Sequence, residues 1–179
     1  LGDLDIAVNN AGVISIKGVG ELSVDDWDQI MAVNARGVFL CAQAELAVMR
    51  PRQSGRIVNV ASIAGKVGFP DLSHYSASKF AVIGFTNAIA KEVAPEGITV
   101  NAICPGIVGT GMWRGEDGLS GRWREPGETE AQSWERHQKT LLPQGVAQTP
   151  ADMGQLAVYL AGAAHVTGQA IAVDGGFSL

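Results

Sequence analysis

The chain has 179 residues, of which 46% are hydrophobic and 17% charged, and its formal net charge is −5. This length and composition predict one globular domain with enough apolar material for a core, and they exclude a disordered chain. The acidic balance argues against nucleic acid as a partner, and no apolar run is long enough to span a membrane. No signal-peptide pattern opens the sequence, so a cytoplasmic protein is expected.

The predicted elements alternate between short strands and longer helices. Strands are predicted at residues 4–8, 56–61, 98–103 and 169–173, each a continuous apolar run. Such runs are typical of strands buried on both faces of a parallel sheet, and the helical patterns between the first three predict βαβ units. In this α/β fold the carboxyl ends of all strands share one rim, and ligands bind outside that rim.

Two helices are predicted between these strands, and a third is predicted before the last strand. Ser23 is a plausible N-cap for a helix that reaches about residue 49, and Asn34 lies inside it although asparagine is a poor helix former. A second helix is predicted from about residue 73 to 93. The third begins after Thr149 and Pro150. The second carries an apolar stripe at helical spacing: Ala77, Phe80, Ala81, Gly84, Phe85 and Ala88.

A serine, a tyrosine and a lysine carry the strongest chemical signal. Tyr75 and Lys79 are four residues apart, so a helix places them on one face, and Ser62 directly follows a predicted strand. A nearby ammonium favours the phenolate, which predicts a lowered pKa for Tyr75 and a role in proton transfer. By itself, the same spacing also fits a packed ring beside a solvated amine.

Five motifs together resemble the classical short-chain dehydrogenase/reductase (SDR) family. They are NNAG at residues 9–12, Asn34 in MAVNARGVF, Ser62, the Tyr75-x-x-x-Lys79 pair, and PG at residues 105–106. Their order and spacing match the family from about residue 4 to 176. The resemblance implies a Rossmann-like doubly wound parallel sheet and an oxidoreductase that interconverts a secondary alcohol and a ketone. It gives catalytic roles to Asn34, Ser62, Tyr75 and Lys79.

The resemblance also implies NAD or NADP as cofactor. In the family the lysine hydrogen-bonds the nicotinamide ribose, and the segment after the third predicted strand wraps the nicotinamide end. The implied cofactor-binding residues are Asn9, Ala11, Gly12, Tyr75, Lys79, Pro105, Gly106, Val108 and Thr110. No metal site is predicted.

A dinucleotide site needs a glycine-rich turn after its first strand, and no such turn precedes Asn9. We therefore expect residues 1–179 to form a single SDR domain that lacks its first βαβαβ half. A longer parent chain is favoured over a true truncation, because the first strand here would otherwise leave an apolar edge open. In the family, the residue that selects NAD or NADP follows the second strand. This chain lacks that strand, so its sequence does not decide between the two cofactors.

Residues 107–148 break the strand–helix pattern and are expected to form a long loop, and the family resemblance implies that this loop is the substrate lid. The lid holds Trp113, Trp123 and Trp134. These aromatics either shape the substrate pocket or cover the core. The string CPGIVGTGMW is similar to acetoin and polyol dehydrogenases within the family.

Smaller expectations concern cysteines, histidines and partners. Cys41 and Cys104 are predicted to be buried, reduced thiols. His74 is placed at the surface, with a role in proton relay as the alternative. The apolar stripe of the second helix either packs on the sheet or contacts a partner subunit. The resemblance favours a partner subunit, and thus a homotetramer or homodimer.

The alternative to an oxidoreductase is a catalytically silent SDR fragment or pseudoenzyme that serves as an assembly or binding partner. A hydrolase is a third hypothesis, which the sequence disfavours because it contains no Gly-x-Ser-x-Gly elbow that would make Ser62 a nucleophile.

Overall fold

The computed structural model describes residues 3–179. Its centre is a four-stranded parallel sheet in the order β1-β2-β3-β4, which confirms the predicted α/β fold. The strands are β1 (Ile6–Asn9), β2 (Gly55–Val60), β3 (Ile98–Pro105) and β4 (Ala170–Val173). In the register, Ile6 pairs with Arg56, and Ala102 pairs with Ala170. All four carboxyl ends therefore meet at one rim.

Helices cover both faces of this sheet, as in a Rossmann-like doubly wound fold. They are α1 (Val24–Met31), α2 (Gly37–Met49), α3 (Ser73–Val93), α4 (Leu119–Arg122), α5 (Glu130–Leu141) and α6 (Pro150–Gly162). A π-helical segment, Ala32–Arg36, joins α1 to α2. Short 3-10 turns occupy Arg50–Arg52, Ile63–Gly65 and Ala94–Glu96. No helix in residues 3–179 is long and apolar enough to cross a membrane.

The helix starts follow from side-chain caps. Ser23 and Asp26 form a reciprocal capping box at α1, as the N-cap prediction at Ser23 requires. Thr149 and Asp152 do the same at α6, where Pro150 occupies the first turn. Each cap satisfies backbone N–H groups that have no partner inside the helix, so the sequence fixes these boundaries locally.

The core has one layer on each face of the sheet. On one face α2 and α3 cover the strands, and the buried side chains there include Ala42, Met49, Ile57, Ile89, Val93 and Val100. On the other face α6 packs Leu160 against Val58 and Ile103. Gly55 allows the close approach of α2, because a Cβ at this position would overlap the Met49 side chain. These layers hold the strand ends in fixed positions.

Three features of the protein surface test predictions made from the sequence. Cys41 is exposed on α2 while Cys104 is fully buried, so the prediction of two buried thiols is wrong for Cys41. Strand β1 forms one edge of the sheet, and Ile6 and Val8 are each 50% exposed there, in keeping with the expected open apolar edge. Phe80 of the apolar stripe is 46% exposed, so the stripe does not form the core face of α3.

Candidate active site

The three residues singled out by the sequence lie together at the carboxyl rim of the sheet. Ser62 follows β2, while Tyr75 and Lys79 project from successive turns of α3. Their exposures are 8%, 6% and 4%, and all three line one cavity of about 830 Å³. The Lys79 ammonium lies 5.7 Å from the centroid of the Tyr75 ring. The cavity thus brings a hydroxyl, a phenol and an amine to the same small volume.

Lys79 is oriented by the end of strand β2. Its Nζ donates a hydrogen bond of 3.0 Å to the carbonyl oxygen of Val60. Burial lowers the pKa of Lys79 to about 8, since the charged form loses hydration. At neutral pH the amine therefore still carries its proton. Gly12 borders it closely: a Cβ there would lie 3.3 Å from Nζ, so a glycine keeps this space open.

Tyr75 differs from expectation in its acidity. Burial raises the pKa of its phenol, and the nearby Ser62 hydroxyl only partly opposes this effect. The predicted lowering of the pKa by Lys79 is therefore wrong for the chain as described. The physical reason is that a phenolate in this enclosed place loses more free energy of hydration than it gains from nearby hydrogen-bond donors and charges. The Lys79 ammonium, which could supply such charge, is directed at the Val60 carbonyl oxygen. Tyr75 is thus a protonated donor at neutral pH.

Ser62 is held in place by the turn that follows it. Its Oγ accepts a hydrogen bond of 3.1 Å from the backbone N–H of Ala64, which caps the Ile63–Gly65 turn. The turn packs directly against α3. A Cβ added at Gly65 would lie only 2.6 Å from the Lys79 carbonyl oxygen, so this close contact requires a glycine. This contact fixes the distance between the serine and the helix that carries Tyr75 and Lys79.

Asn34 lies behind the cavity rather than in its lining. It is fully buried in the π-helical segment, which interrupts the single helix predicted from Ser23 to about residue 49. Its amide forms two hydrogen bonds with the backbone of Val13, at 2.8 and 2.9 Å, and a third with Ser78 at 3.1 Å. Ser78 in turn donates to the Tyr75 carbonyl oxygen at 2.7 Å. Asn34 therefore connects the chain after β1 to the turn of α3 that carries Tyr75.

The predicted cofactor-binding residues divide into two groups. The cavity lining includes Tyr75, Lys79, Gly12, Pro105, Gly106, Val108 and Thr110. Asn9 and Ala11 lie outside that lining. The Asn9 amide donates to Asn59 at 2.9 Å and to Glu45 at 3.2 Å, so it links β1 to β2 and α2. Ala11 is exposed.

The structure corrects the expectation for His74. The ring is fully buried instead of lying at the surface, and its Nε2 lies 2.7 Å from the hydroxyl of Ser15. Burial lowers the pKa of His74, so the ring is neutral at pH 7. Together with Asn34 and Val13, this contact fixes the segment that follows β1, whose Ile14 lines the cavity.

The lid is more regular than the expected long loop, because it contains α4 and α5. Thr129 and Gln132 form a capping box at α5, a start signal that the sequence analysis missed. Trp113 and Trp123 line the cavity, whereas Trp134 stacks under the Arg114 guanidinium at 4.9 Å. Further lining residues that the sequence analysis did not single out are Phe69, Leu72, Leu119, Arg136, His137 and Phe177.

Comparison with known proteins agrees with this geometry. The family described as short chain dehydrogenase matches residues 1–118. The chain belongs to the short-chain dehydrogenase family. The members of this family are oxidoreductases that act on CH–OH groups and use NAD or NADP, as the resemblance in the sequence implied.

Relatives in this family match almost the whole chain. It is 42% identical to an L-2,3-butanediol dehydrogenase of Corynebacterium glutamicum over 98% of this chain and 68% of the relative. It is 40% identical to a 3beta-hydroxysteroid dehydrogenase of Mediterraneibacter gnavus, over 99% and 67%. An actinorhodin polyketide ketoreductase variant with NADPH superposes with a TM-score of 0.91 at 38% identity, over 99% and 68%. The chain spans about two thirds of the length of these relatives.

Proposed function

We propose that the protein carrying this chain interconverts a secondary alcohol and a ketone with NAD or NADP. The observation that carries the proposal is the convergence of Ser62, Tyr75 and Lys79 in one largely apolar cavity at the carboxyl rim of the sheet. The family membership supports the same reaction type, and the relatives named as butanediol and hydroxysteroid dehydrogenases act on CH–OH groups.

The residues present fit a nicotinamide cofactor. Gly12 and Gly106 line the cavity with backbone alone, and a Cβ at Gly106 would meet Asp174 at 2.7 Å. At Gly12 the bare backbone leaves space for a ligand beside Lys79, because a Cβ there would lie 3.3 Å from Nζ. Lys79 would hold the ribose, and Pro105, Val108 and Thr110 would hold the nicotinamide end. When bound, the cofactor supplies the hydride, and the protein supplies position and protons.

The chain's own residues then handle the substrate oxygen. Ser62 hydrogen-bonds that oxygen, and Tyr75 donates its proton to the oxygen when a ketone is reduced. Since burial keeps the Tyr75 phenol protonated at neutral pH, the side chain begins in the state that reduction requires. The Lys79 ammonium is directed at the Val60 carbonyl oxygen and lies 5.7 Å from the centroid of the Tyr75 ring, so its proposed role is to hold the cofactor ribose rather than to make the phenol more acidic. Asn34 positions the turn of α3 that bears Tyr75.

Replacing Tyr75 with phenylalanine tests this assignment. We expect Tyr75→Phe to lower kcat by about 10²–10⁴-fold, the usual contribution of a general acid, while cofactor binding is kept. The chain has two tyrosines, and the second, Tyr159, is 59% exposed on α6. Tyr159→Phe is therefore a matched control that should retain full turnover. Retained ketone reduction by Tyr75→Phe would contradict the proposed role.

The alternative of a catalytically silent protein is disfavoured because Asn34, Ser62, Tyr75 and Lys79 are all present. Nicotinamide fluorescence on addition of NADH or NADPH separates the two possibilities and also reports which cofactor is preferred. Binding of neither cofactor by the protein that carries this chain would favour the silent reading.

We also propose that the protein forms a homodimer or homotetramer through the outer surface of α2 and α3. Phe39, Leu40 and Val48 of α2 are 45%, 52% and 43% exposed, and Phe80 of α3 is 46% exposed. Large apolar side chains exposed in this number are typical of a contact with another chain. Phe80→Lys is expected to shift the sedimenting species towards the monomer. A monomeric parent protein at micromolar concentration would contradict the proposal.

Two free cysteines and an acidic net charge support a cytoplasmic location without a nucleic-acid partner.

A further inference from the structure

The lid places a buried histidine in the wall of the cavity. His137 projects from α5, is 6% exposed and belongs to the cavity lining. Its ring centroid lies 5.9 Å from both Trp113 and Trp123, and the two indole rings are 5.8 Å apart at 75°. The imidazole is therefore held on two sides by aromatic rings, which leaves it little freedom to rotate.

One nitrogen of this ring is already used by the helix. Nδ1 lies 2.7 Å from the backbone carbonyl oxygen of Ser133 and 3.2 Å from the Ser133 hydroxyl. A carbonyl oxygen can only accept, so the proton of the neutral ring resides on Nδ1. Burial lowers the pKa of His137, in keeping with a neutral ring. Nε2 then presents a lone pair, and it has no hydrogen-bond partner within residues 3–179.

Three arginines of the lid, Arg114, Arg124 and Arg136, are paired with carboxylates. Arg136 donates to both oxygens of Glu128 at 2.9 Å and to the Trp123 carbonyl oxygen. Arg114 is paired with Glu130 at 2.9 Å, and Arg124 is paired with Glu116 at 2.7 Å. Since these guanidinium groups are engaged, this wall of the cavity favours an uncharged ligand over a carboxylate or phosphate.

We propose that His137 determines substrate specificity by accepting, at Nε2, a hydrogen bond from a hydroxyl that an uncharged substrate carries away from its reacting carbon. The proposal rests on the proposed function and names its substrate class: hydroxyketones, and the diols that form from them, with an apolar chain between the two oxygens. Ser62 and Tyr75 hold the reacting oxygen, while the lid holds the second one. The remaining wall, with Trp113, Trp123 and Phe69, contacts the chain between them.

The aromatic surroundings make this contact discriminating. A ligand without the hydroxyl would cover Nε2 with apolar surface and leave a buried acceptor unpaired, which is costly. Sites that hydrogen-bond a substrate hydroxyl reject analogues lacking it more strongly than apolar pockets distinguish one methylene. We therefore expect a preference of about tenfold or more for the hydroxylated substrate.

The experiment uses two matched series of ketones with the protein that carries this chain. One series is methyl ketones with a terminal hydroxyl, HO–(CH₂)n–CO–CH₃, with n from three to six, because the scan covers different spans between the two oxygens. The other is the unsubstituted 2-alkanones of the same chain length. The readout is the ratio of kcat/KM within each pair. At least one pair should favour the hydroxyketone by about tenfold or more in the unmodified protein.

Three variants identify the group responsible. His137→Phe keeps an aromatic ring but removes Nε2, and we expect the ratio to fall to about one. His137→Gln can present an amide oxygen near the place of Nε2, so part of the preference should return. His165→Phe changes an exposed histidine outside the lid and should leave the ratio unchanged. Because each ratio compares two substrates on one variant, a general loss of folded protein cancels.

Two outcomes overturn the inference: no pair shows a preference in the unmodified protein, or the preference survives in His137→Phe. If neither series is reduced at all, the proposed function fails, which is a separate result. The contact at His137 is then still tested by tryptophan fluorescence titration with the same pairs, since Trp113 and Trp123 flank the ring. Equal affinity within every pair would overturn it by that route too.

Discussion

The rim of the sheet and the lid hold their functional side chains by different means. At the rim, the buried side chains of Asn34 and Lys79 are fixed by hydrogen bonds to backbone distant in sequence, at Val13 and Val60. In the lid, the aromatic side chains rest on one another, and ion pairs such as Arg114 with Glu130 are partly exposed. The hydrogen bonds at the rim allow only one geometry, whereas the aromatic contacts and ion pairs of the lid tolerate changes of side chain.

This difference has a functional meaning. Proton transfer requires the phenol, the hydroxyl and the ammonium to keep fixed positions, so they lie on elements locked to the sheet. Substrate choice depends on the shape of the lid, which can vary without disturbing the sheet. Mutations at the rim should therefore reduce both stability and turnover, whereas mutations in the lid should mainly alter substrate affinity.

The largest effect is expected at the contact between the Ile63–Gly65 turn and α3. A Cβ at Gly65 would lie 2.6 Å from the Lys79 carbonyl oxygen, a backbone atom that cannot move without shifting the helix. Gly65→Ala should lower the free energy of unfolding by about 1–3 kcal/mol and reduce turnover. Urea denaturation measures the first quantity. Gly68→Ala, three residues on and with open space around it, is the control and should be neutral.

The next effect concerns the link through Asn34. Asn34→Ala removes the hydrogen-bond partners of the Val13 N–H and carbonyl groups, and each polar group left unpaired lowers the stability of the folded protein. We expect a decrease of about 1–3 kcal/mol in the free energy of unfolding, together with reduced kcat. Asn87→Ala, which removes an exposed hydrogen bond to Gly168, should change neither. An Asn34 variant with normal stability would show that the rim tolerates change as the lid does.

The third prediction is a pH dependence of stability from His74. Its pKa is lowered in the folded state by burial, and the unfolded value is about 6.5. Below that value the unfolded chain binds a proton that the folded chain excludes, so stability is full above about pH 6.5 and falls on acidification towards the folded pKa. The difference in unfolding free energy between the unmodified protein and His74→Gln should therefore shrink from pH 7 to 5. An unchanged difference would contradict a neutral His74 ring.

The smallest effect on stability is expected in the lid. Glu130 accepts hydrogen bonds from Arg114 at 2.9 Å, from Ser120 at 2.6 Å and from the Gly115 N–H at 3.2 Å. These bonds lower the pKa of Glu130 to about 2, so the carboxylate stays charged in neutral solution. Glu130→Gln should raise KM several-fold with little change in melting temperature. Glu135→Gln on the same helix, which breaks an exposed pair with Lys139, should change neither.

The sequence predicted the strands and long helices well because their signals are local. Apolar runs mark the four strands, and the side chains of Ser23 and Thr149 cap the helices they precede. The missed helix α5 carried the same kind of cap at Thr129, hidden inside a stretch of mixed charge. The exposure of Cys41 and the burial of His74 were misjudged, because each depends on which neighbouring element covers that side of the helix.

By itself the sequence determined the fold family and the chemical residues Ser62, Tyr75 and Lys79, since motif order and helical spacing are properties of the chain. Only the tertiary structure decided the raised pKa of Tyr75, the role of Asn34 as a link between segments and the entry of His137 into the cavity. Desolvation, buried hydrogen bonds and cavity shape arise between residues distant in sequence. They exist only after the sheet has brought those residues together.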